Sequence, residues 1–303
     1  MSRRLVATLV ALLVVSAACG GTSGSPSASN APYRVVATTS LFADLARLAL
    51  GDAVQIDAIV PAGIDVHTFE PAPSDVSMIA GADLVLMNGL GLDEWVVSLV
   101  DAAKQSNANV LRLGEDLDSY GFQYLFDSEG LPDPHVWLDP TAAELFLQKI
   151  ASRVVEDRPT LTSEIRAALD EGRASLQAQS QAARIAFSAI PEYRRKIVTF
   201  HDAFGYFART YDITIVGVAI ASPGQDPSAR EIAALIDAIR AAGVTTVFSE
   251  VQFPSKVLNS IAAETGATVL ADLYSDALGA APGDTYIGAM RANATVIVAS
   301  MQR

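Results

Sequence analysis

Short runs of aliphatic and β-branched residues alternate along this chain with segments of helical periodicity, from residue 33 to the end. Such alternation predicts βαβ units, in which the strands are parallel and helices cover the sheet. The predicted strands are Arg34–Ala37, Val54–Val60, Leu84–Met87, Val110–Leu113, Lys196–Phe200, Ile213–Ala219, Thr245–Phe248 and Ala267–Leu270. The predicted helices around them are Leu41–Leu50, Ser74–Ala80, Asp93–Lys104, Ala203–Tyr211, Ala229–Ala242, Lys256–Thr265 and Tyr286–Met301. We therefore expect an α/β protein with two similar lobes, each a parallel sheet flanked by helices.

The segment between the two sets of strands, Thr160 to Ser188, is continuous in helix-forming residues and contains one glycine, Gly172. A helix of about 27 residues is roughly 40 Å long. A single glycine costs a helix only about 1 kcal/mol, so we expect one long linker helix, with two packed helices broken near Gly172 as the alternative. The predicted domains are an N-terminal lobe over 33–158, a linker helix over 159–189 and a C-terminal lobe over 190–303.

The first 18 residues are typical of a secretory signal peptide, because Arg3 and Arg4 precede the apolar stretch Leu5–Val15. This stretch is shorter than the roughly 20 residues that span a bilayer. Three small residues then precede Cys19, which resembles the lipidation site of bacterial lipoproteins. Residues 20–32 are uncharged and rich in Gly, Ser and Ala, so we expect a flexible tether after Cys19. The sequence thus predicts an extracytoplasmic lipoprotein that contacts the membrane through its lipid anchor only.

Charge and cysteine content exclude several classes of protein. The 303 residues include 34 acidic and 21 basic side chains, a formal net charge of −13. Because nucleic acids attract cationic surfaces, a nucleic-acid partner is not expected. Cys19 is the single cysteine, which excludes an intramolecular disulfide and a cysteine-based metal site. Any metal must therefore be bound by nitrogen and oxygen.

The chain has three histidines, and each is predicted at the edge of a sheet where ligands bind. His67 and His201 each follow a predicted strand, and His135 precedes Asp139 and Pro140, a good N-cap and first position for a helix. Ligands of open parallel sheets bind beyond the carboxyl ends of the strands. We expect the three imidazoles to meet in a cleft and to bind a divalent transition metal.

An oxygen ligand would complete a tetrahedral shell around such a metal. Glu250 and Asp276 are the candidates, because each follows a strand of the second lobe. Three acidic residues near the histidines could orient the imidazoles by accepting their second N–H group: Glu70, Asp133 and Asp202. The alternative is that each of them caps a helix or stabilises a turn.

Five segments together resemble one family, the metal-specific solute-binding proteins of bacterial ABC importers (cluster A-I), which capture zinc or manganese. They are GIDVHTFEPAPSD, DPHVWLDP, HDAFGYFARTY, FSEVQFPSK and SDALG…DTYIGAMRANATVI. The resemblance covers nearly all of the chain after the tether. It implies a metal between two lobes, bound by His67, His135, His201 and Asp276. We then expect Glu250 to be a hydrogen-bonded structural acid beside these ligands and not the fourth ligand. It also implies an ABC permease and its ATPase as partners, and binding rather than catalysis.

The resemblance favours Zn²⁺ as the metal, with Mn²⁺ as the alternative. Manganese members usually carry Glu at the position of His201, and hard oxygen ligands favour manganese. The His-rich loop that many zinc members insert before the second histidine is missing, since EDLDSYGFQYLFDSEGLPD contains no histidine.

Two other functions fit parts of the pattern. A zinc hydrolase needs an open coordination position and a nearby base, and the sequence has no HExxH motif. A surface adhesion lipoprotein with a structural metal is the second alternative.

We expect the protein to be a monomer. We also expect metal exchange to proceed through the loops Pro61–Pro73 and Asp272–Gly283, because a long linker helix resists bending.

Overall fold

The computed structural model describes residues 32–103, 109–127 and 129–302. In these ranges eight strands form two four-stranded parallel sheets with the same topology. The first sheet has the order β2-β1-β3-β4, with β1 Arg34–Thr39, β2 Gln55–Val60, β3 Leu84–Met87 and β4 Asn109–Arg112. The second has the order β6-β5-β7-β8, with β5 Lys196–His201, β6 Thr214–Ile220, β7 Thr246–Glu250 and β8 Thr268–Leu273. The predicted α/β class with two similar sheets is confirmed.

The described residues also form nine α-helices, close to the predicted ones. They are α1 Ser40–Leu50, α2 Pro73–Ala80, α3 Trp95–Ala102, α4 Pro140–Asp157, α5 Thr162–Ser188, α6 Gly205–Thr210, α7 Ala229–Ala242, α8 Lys256–Thr265 and α9 Tyr286–Met301. Helix α4 begins as predicted, because the Asp139 side chain accepts a hydrogen bond from the Thr141 amide at 2.8 Å and Pro140 takes the first position. Helix α3 begins two residues later than predicted, because the Asp93 carboxylate accepts the backbone N–H groups of Asn88 and Gly89 and so stabilises the preceding turn.

Helix α5 is a single helix of 27 residues, so the predicted long linker helix is confirmed and a break near Gly172 is wrong. Gly172 is buried inside the helix, where an added Cβ would collide with the backbone carbonyl of Leu48 in α1. Glycine therefore permits close packing of α5 on α1. Helix α5 also packs against α4 and α9. The exact domain limits at 33–158, 159–189 and 190–303 stay a prediction.

Both faces of each sheet are covered, as in other parallel sheets. In β3, Leu84 and Leu86 face the main apolar core, whereas Val85 and Met87 face a second cluster on the opposite side. The second sheet has its own outer cluster around Val198 and β7. With this strand order the crevice for a ligand opens where the connections reverse, between β1 and β3 and between β5 and β7. The signal peptide 1–18 and Cys19 lie outside the described residues.

Candidate metal centre

Three imidazoles and one carboxylate meet at the carboxyl ends of the strands. His67, His135, His201 and Asp276 each offer one ligand atom, and these atoms all lie within 4.8 Å of one another. The Nε2 atoms of His67 and His201 lie 3.7 and 3.1 Å from Asp276 Oδ2. The Nε2 atom of His135 lies 3.6 Å from Asp276 Oδ1. Such separations leave room for one small cation among the four groups.

Each candidate ligand comes from a different connection, so the four groups meet only in the folded chain. His67 lies in the loop after β2, and His135 in the turn before α4. His201 is the last residue of β5, whereas the prediction ended this strand at Phe200. The strand is one residue longer because His201 pairs with Ile220 of β6. Asp276 follows β8. The first sheet's connections thus supply two imidazoles, and the second sheet supplies the third imidazole and the carboxylate.

The chemistry of these atoms fits a metal. The Nε2 atoms of all three histidines and Oδ1 of Asp276 are buried and have no hydrogen-bond partner among the described residues. Although His201 Nε2 approaches Asp276 Oδ2 closely, the two atoms lack the alignment of a hydrogen bond. Unpaired buried polar atoms are costly. A divalent cation at their centre would satisfy all of them at once.

Asp133 fixes the His135 ring, as the sequence suggested. Its Oδ1 atom accepts from His135 Nδ1 at 2.7 Å and from the His135 backbone N–H at 3.0 Å. A carboxylate only accepts, so Nδ1 carries the proton and Nε2 presents a free lone pair to the site. The loop of His67 is stabilised by Asp65, which accepts from the His67 N–H at 3.1 Å and from the Thr68 hydroxyl at 2.7 Å. The sequence reasoning missed Asp65, although an Asp two residues before a loop residue is a signal for such a turn.

The other two residues suggested for orienting imidazoles are placed elsewhere. Glu70 and Asp202 are both exposed, and neither forms a hydrogen bond with one of the three imidazoles. Glu250 is fully buried with its Oε2 atom 3.6 Å from His201 Nδ1 and does not reach the ligand cluster. Asp276, and not Glu250, is therefore the carboxylate that faces all three imidazoles.

The electrostatics of the metal-free site are dominated by His201 and its two acidic neighbours. Burial lowers the pKa of His201, but the carboxylates of Asp276 and Glu250 outweigh burial and raise that pKa to about 10. Burial raises the pKa of Asp276, but His201 and the other two histidines outweigh it and hold that pKa below its usual range. Burial lowers the pKa of His67 and raises that of Glu250. A coordinating imidazole is neutral, so a metal must displace the His201 proton when it binds.

The backbone next to Asp276 is held by residues from distant parts of the chain. The side chain of Asn293 in α9 accepts from the Tyr274 N–H at 2.9 Å and donates to the Tyr274 carbonyl at 2.8 Å. The indole of Trp137 donates to the Ser275 carbonyl at 2.8 Å, and its ring packs edge-on against His135. The Tyr286 hydroxyl in turn donates to the Trp137 carbonyl at 2.6 Å. These bonds fix the carboxylate before a metal arrives.

Two parallel-sheet lobes with a buried cluster of three histidines and one aspartate define a metal-binding protein. None of the helices in the described part of the chain has the length and hydrophobicity needed to cross a bilayer.

Comparisons with known proteins identify the same class. The family described as zinc-uptake complex component A, periplasmic, matches residues 35–300. A manganese ABC transporter substrate-binding lipoprotein, scaA of Streptococcus gordonii, is 28% identical over 297 residues, which span 96% of each chain. An iron ABC transporter substrate-binding lipoprotein, MtsA of Streptococcus pyogenes serotype M1, is 27% identical over 300 residues, 97% of this chain and 96% of the relative. The solved structure of the periplasmic zinc binding protein TroA from Treponema pallidum has a TM-score of 0.82 and 26% identity, and covers 90% of this chain and 100% of that one.

The chain belongs to the zinc-uptake complex component A family. It is an extracytoplasmic metal-binding component of an ABC importer and not an enzyme. The alternative of a zinc hydrolase is therefore wrong.

Proposed function

We propose that this protein captures one Zn²⁺ ion through His67, His135, His201 and Asp276 and delivers it to the permease of its importer. The observation that carries the proposal is the convergence of three buried Nε2 atoms, all without hydrogen-bond partners in the described residues, on one buried carboxylate. Family membership implies a permease and its ATPase as partners. Delivery then requires that the same four ligands release the metal at the permease.

The donor set supports zinc over manganese. Three imidazole nitrogens and one carboxylate suit zinc, whereas manganese is bound best by carboxylates, carbonyls and water. The relatives do not choose between the metals, because their names include manganese, iron and zinc. The preference for zinc therefore rests on the donor atoms of this chain, and manganese is the alternative cargo.

The membrane attachment belongs to the same proposal. We infer that the signal peptide ends at residue 18 and that Cys19 carries the lipid, with the tether to residue 32 leading to a monomeric two-lobed body. Several relatives are named lipoproteins, which supports this part. An adhesion lipoprotein with a structural metal would use the same anchor and the same ligands, but the family to which the chain belongs serves metal uptake, which favours delivery.

Calorimetric titration of the protein from residue 20 onward, stripped of metal with a chelator, tests the cargo. We expect one zinc ion per chain, bound more tightly than manganese. Asp276→Asn removes the charged ligand and should weaken zinc binding at least about 10-fold, whereas Asp212→Asn is a matched control at an exposed side chain. A stoichiometry near zero would refute the proposal, and tighter binding of manganese would establish the alternative.

A further inference from the structure

We propose that Gln252 is a positioning residue for Asp276 and sets how strongly the site prefers zinc to manganese. The inference rests on the proposed metal function. The Gln252 amide donates from Nε2 to Asp276 Oδ2 at 3.2 Å and to Ser275 Oγ at 2.7 Å. Gln252 is not among the four ligands, so it acts on the metal through Asp276.

The position of Gln252 is itself fixed by the second sheet. It lies in the turn after β7, where the Val251 N–H donates to the Leu273 carbonyl at 2.9 Å and the Phe253 N–H donates to the Glu250 carbonyl at 3.0 Å. The first bond joins the turn to the end of β8, three residues before Asp276, and the second closes the turn on β7. The amide therefore approaches the carboxylate from a rigid part of the backbone.

The orientation of the amide is dictated by the carboxylate. The Gln252 Oε1 atom is buried and has no hydrogen-bond partner in the described part of the chain, so the side chain bonds through Nε2 alone. A flipped amide would place Oε1 against the Asp276 oxygen, and two acceptors repel each other. The unpaired Oε1 atom is thus the cost of directing the N–H groups at Asp276 and Ser275.

Gln252 restrains the side chain of Asp276, whose torsions the contacts of the neighbouring backbone leave free. The neighbouring backbone is held by Asn293 and Trp137. The carboxylate is then free to turn about the Cα–Cβ and Cβ–Cγ bonds unless one of its oxygens is hydrogen-bonded. Oδ2 accepts from Gln252 and, at 3.3 Å, from the Ser275 hydroxyl, whereas Oδ1 has no such donor. Both donors act on the same oxygen and keep the carboxylate plane directed at the imidazoles.

A fixed carboxylate affects the two metals differently. Zinc takes a small, nitrogen-rich shell and benefits from ligands already in place. Manganese prefers more oxygen ligands in an octahedral arrangement, which requires the carboxylate to turn and water to enter. Removal of the Gln252 amide frees this rotation, so zinc loses preorganisation and manganese gains adaptability. The ratio of zinc to manganese affinity should therefore fall.

Competition titrations with zinc and manganese test this inference on three variants. Gln252→Met keeps the length of the side chain but removes the N–H groups, and Ser275→Ala removes the other donor to Oδ2. The matched control is Gln177→Met, because Gln177 donates to the Glu144 carboxylate on an exposed helix face, at 3.3 and 3.4 Å. We expect Gln252→Met to lower the zinc-to-manganese affinity ratio by about 10-fold, the usual scale for a residue that orients a metal ligand. Ser275→Ala should give a smaller fall, and Gln177→Met no change.

If Gln252 had a purely structural role, its loss would weaken the binding of both metals equally. A zinc-to-manganese affinity ratio in Gln252→Met within twofold of the wild-type ratio would therefore refute the inference. If that variant does not fold, Ser275→Ala is the test, and an unchanged ratio there refutes the inference too. Wild-type protein that binds neither metal would refute the proposed function, and this inference with it. Wild-type binding of one zinc with unchanged ratios in the variants would refute the role of Gln252 alone.

Discussion

Replacing Asn293 by alanine tests whether the loop of Asp276 is held from α9. Asn293 is fully buried, and its amide bonds both polar groups of the Tyr274 backbone, the N–H at 2.9 Å and the carbonyl at 2.8 Å. No other hydrogen bond of the described residues involves these two backbone groups in the loop. Alanine would leave one donor and one acceptor buried and unpaired.

The expected cost follows from these two bonds. Each buried polar group that loses its partner costs about 1–3 kcal/mol. Alanine is a better helix former than asparagine by about 0.6 kcal/mol, which offsets a small part. The free energy of unfolding of the metal-free protein should therefore fall by about 3 kcal/mol. Zinc affinity should fall as well, because Asp276 lies two residues beyond Tyr274.

Urea unfolding in the presence of a chelator measures the first effect, and the same experiment with added zinc measures the second, since a ligand stabilises the folded state according to its affinity. Asn259→Ala is the matched control, because Asn259 is an exposed asparagine in helix α8. The control should change stability only by the gain in helix propensity, about 0.6 kcal/mol. A loss below about 1 kcal/mol in Asn293→Ala would show that the loop does not depend on this side chain.

Two further substitutions test the packing and the pH dependence of the fold. Gly172→Ala should lower stability by about 1–2 kcal/mol, measured by urea unfolding, because overpacking against the Leu48 carbonyl exceeds the helix propensity gained; a more stable variant would contradict the close packing of α5 on α1. Burial raises the pKa of Asp93 to about 6, above its value in the unfolded chain, so the folded state binds this proton more tightly. Its contribution to stability is thus present at low pH and lost as pH rises through about 6, and the unfolding free energy of wild type relative to Asp93→Asn should fall by about 2 kcal/mol between pH 4 and pH 7. A difference that does not change with pH would refute the raised pKa.

The fold was largely predictable because its signal is local. Strands and helices alternate with clear hydrophobic periodicity. The start of helix α4, with Asp139 as the N-cap and Pro140 in the first position, follows from capping chemistry alone. The errors lie at the ends of strands and helices. Strand β8 continues to Leu273, three residues beyond its prediction, because its pairing with β7 extends through Glu250. The sequence of residues 271–273 does not predict a strand, and these residues become part of β8 only because β7 pairs with them.

The candidate site was also predictable only where its signal is local. The four ligand positions follow from strand ends and from the family resemblance, but the residues that support them follow from contacts between distant segments. Trp137 and Ser275 are 138 positions apart, and no local pattern pairs them. Glu70 was a reasonable candidate from its place beside His67, yet Asp65 is the residue that bonds this loop.

The two loops that carry His67 and Asp276 show why composition alone does not predict mobility. Both are rich in proline and glycine, so the sequence treats them as equally free to move. The Asp276 loop, however, is bonded through Tyr274 and Ser275 to Asn293 and Trp137. Most of the His67 loop is exposed, and its backbone reaches the Asp276 loop through one bond, from the Gly63 N–H to the Leu278 carbonyl at 2.7 Å.

Local opening costs least where few buried contacts are lost, so the His67 loop should open before the Asp276 loop does. The exposure of the ligands agrees with this order. The side chain of His67 is 19% exposed, against 6% for His135, 1% for His201 and 0% for Asp276. Three of the candidate ligands are therefore enclosed, and we expect a metal to enter and leave past His67, the most exposed of the four.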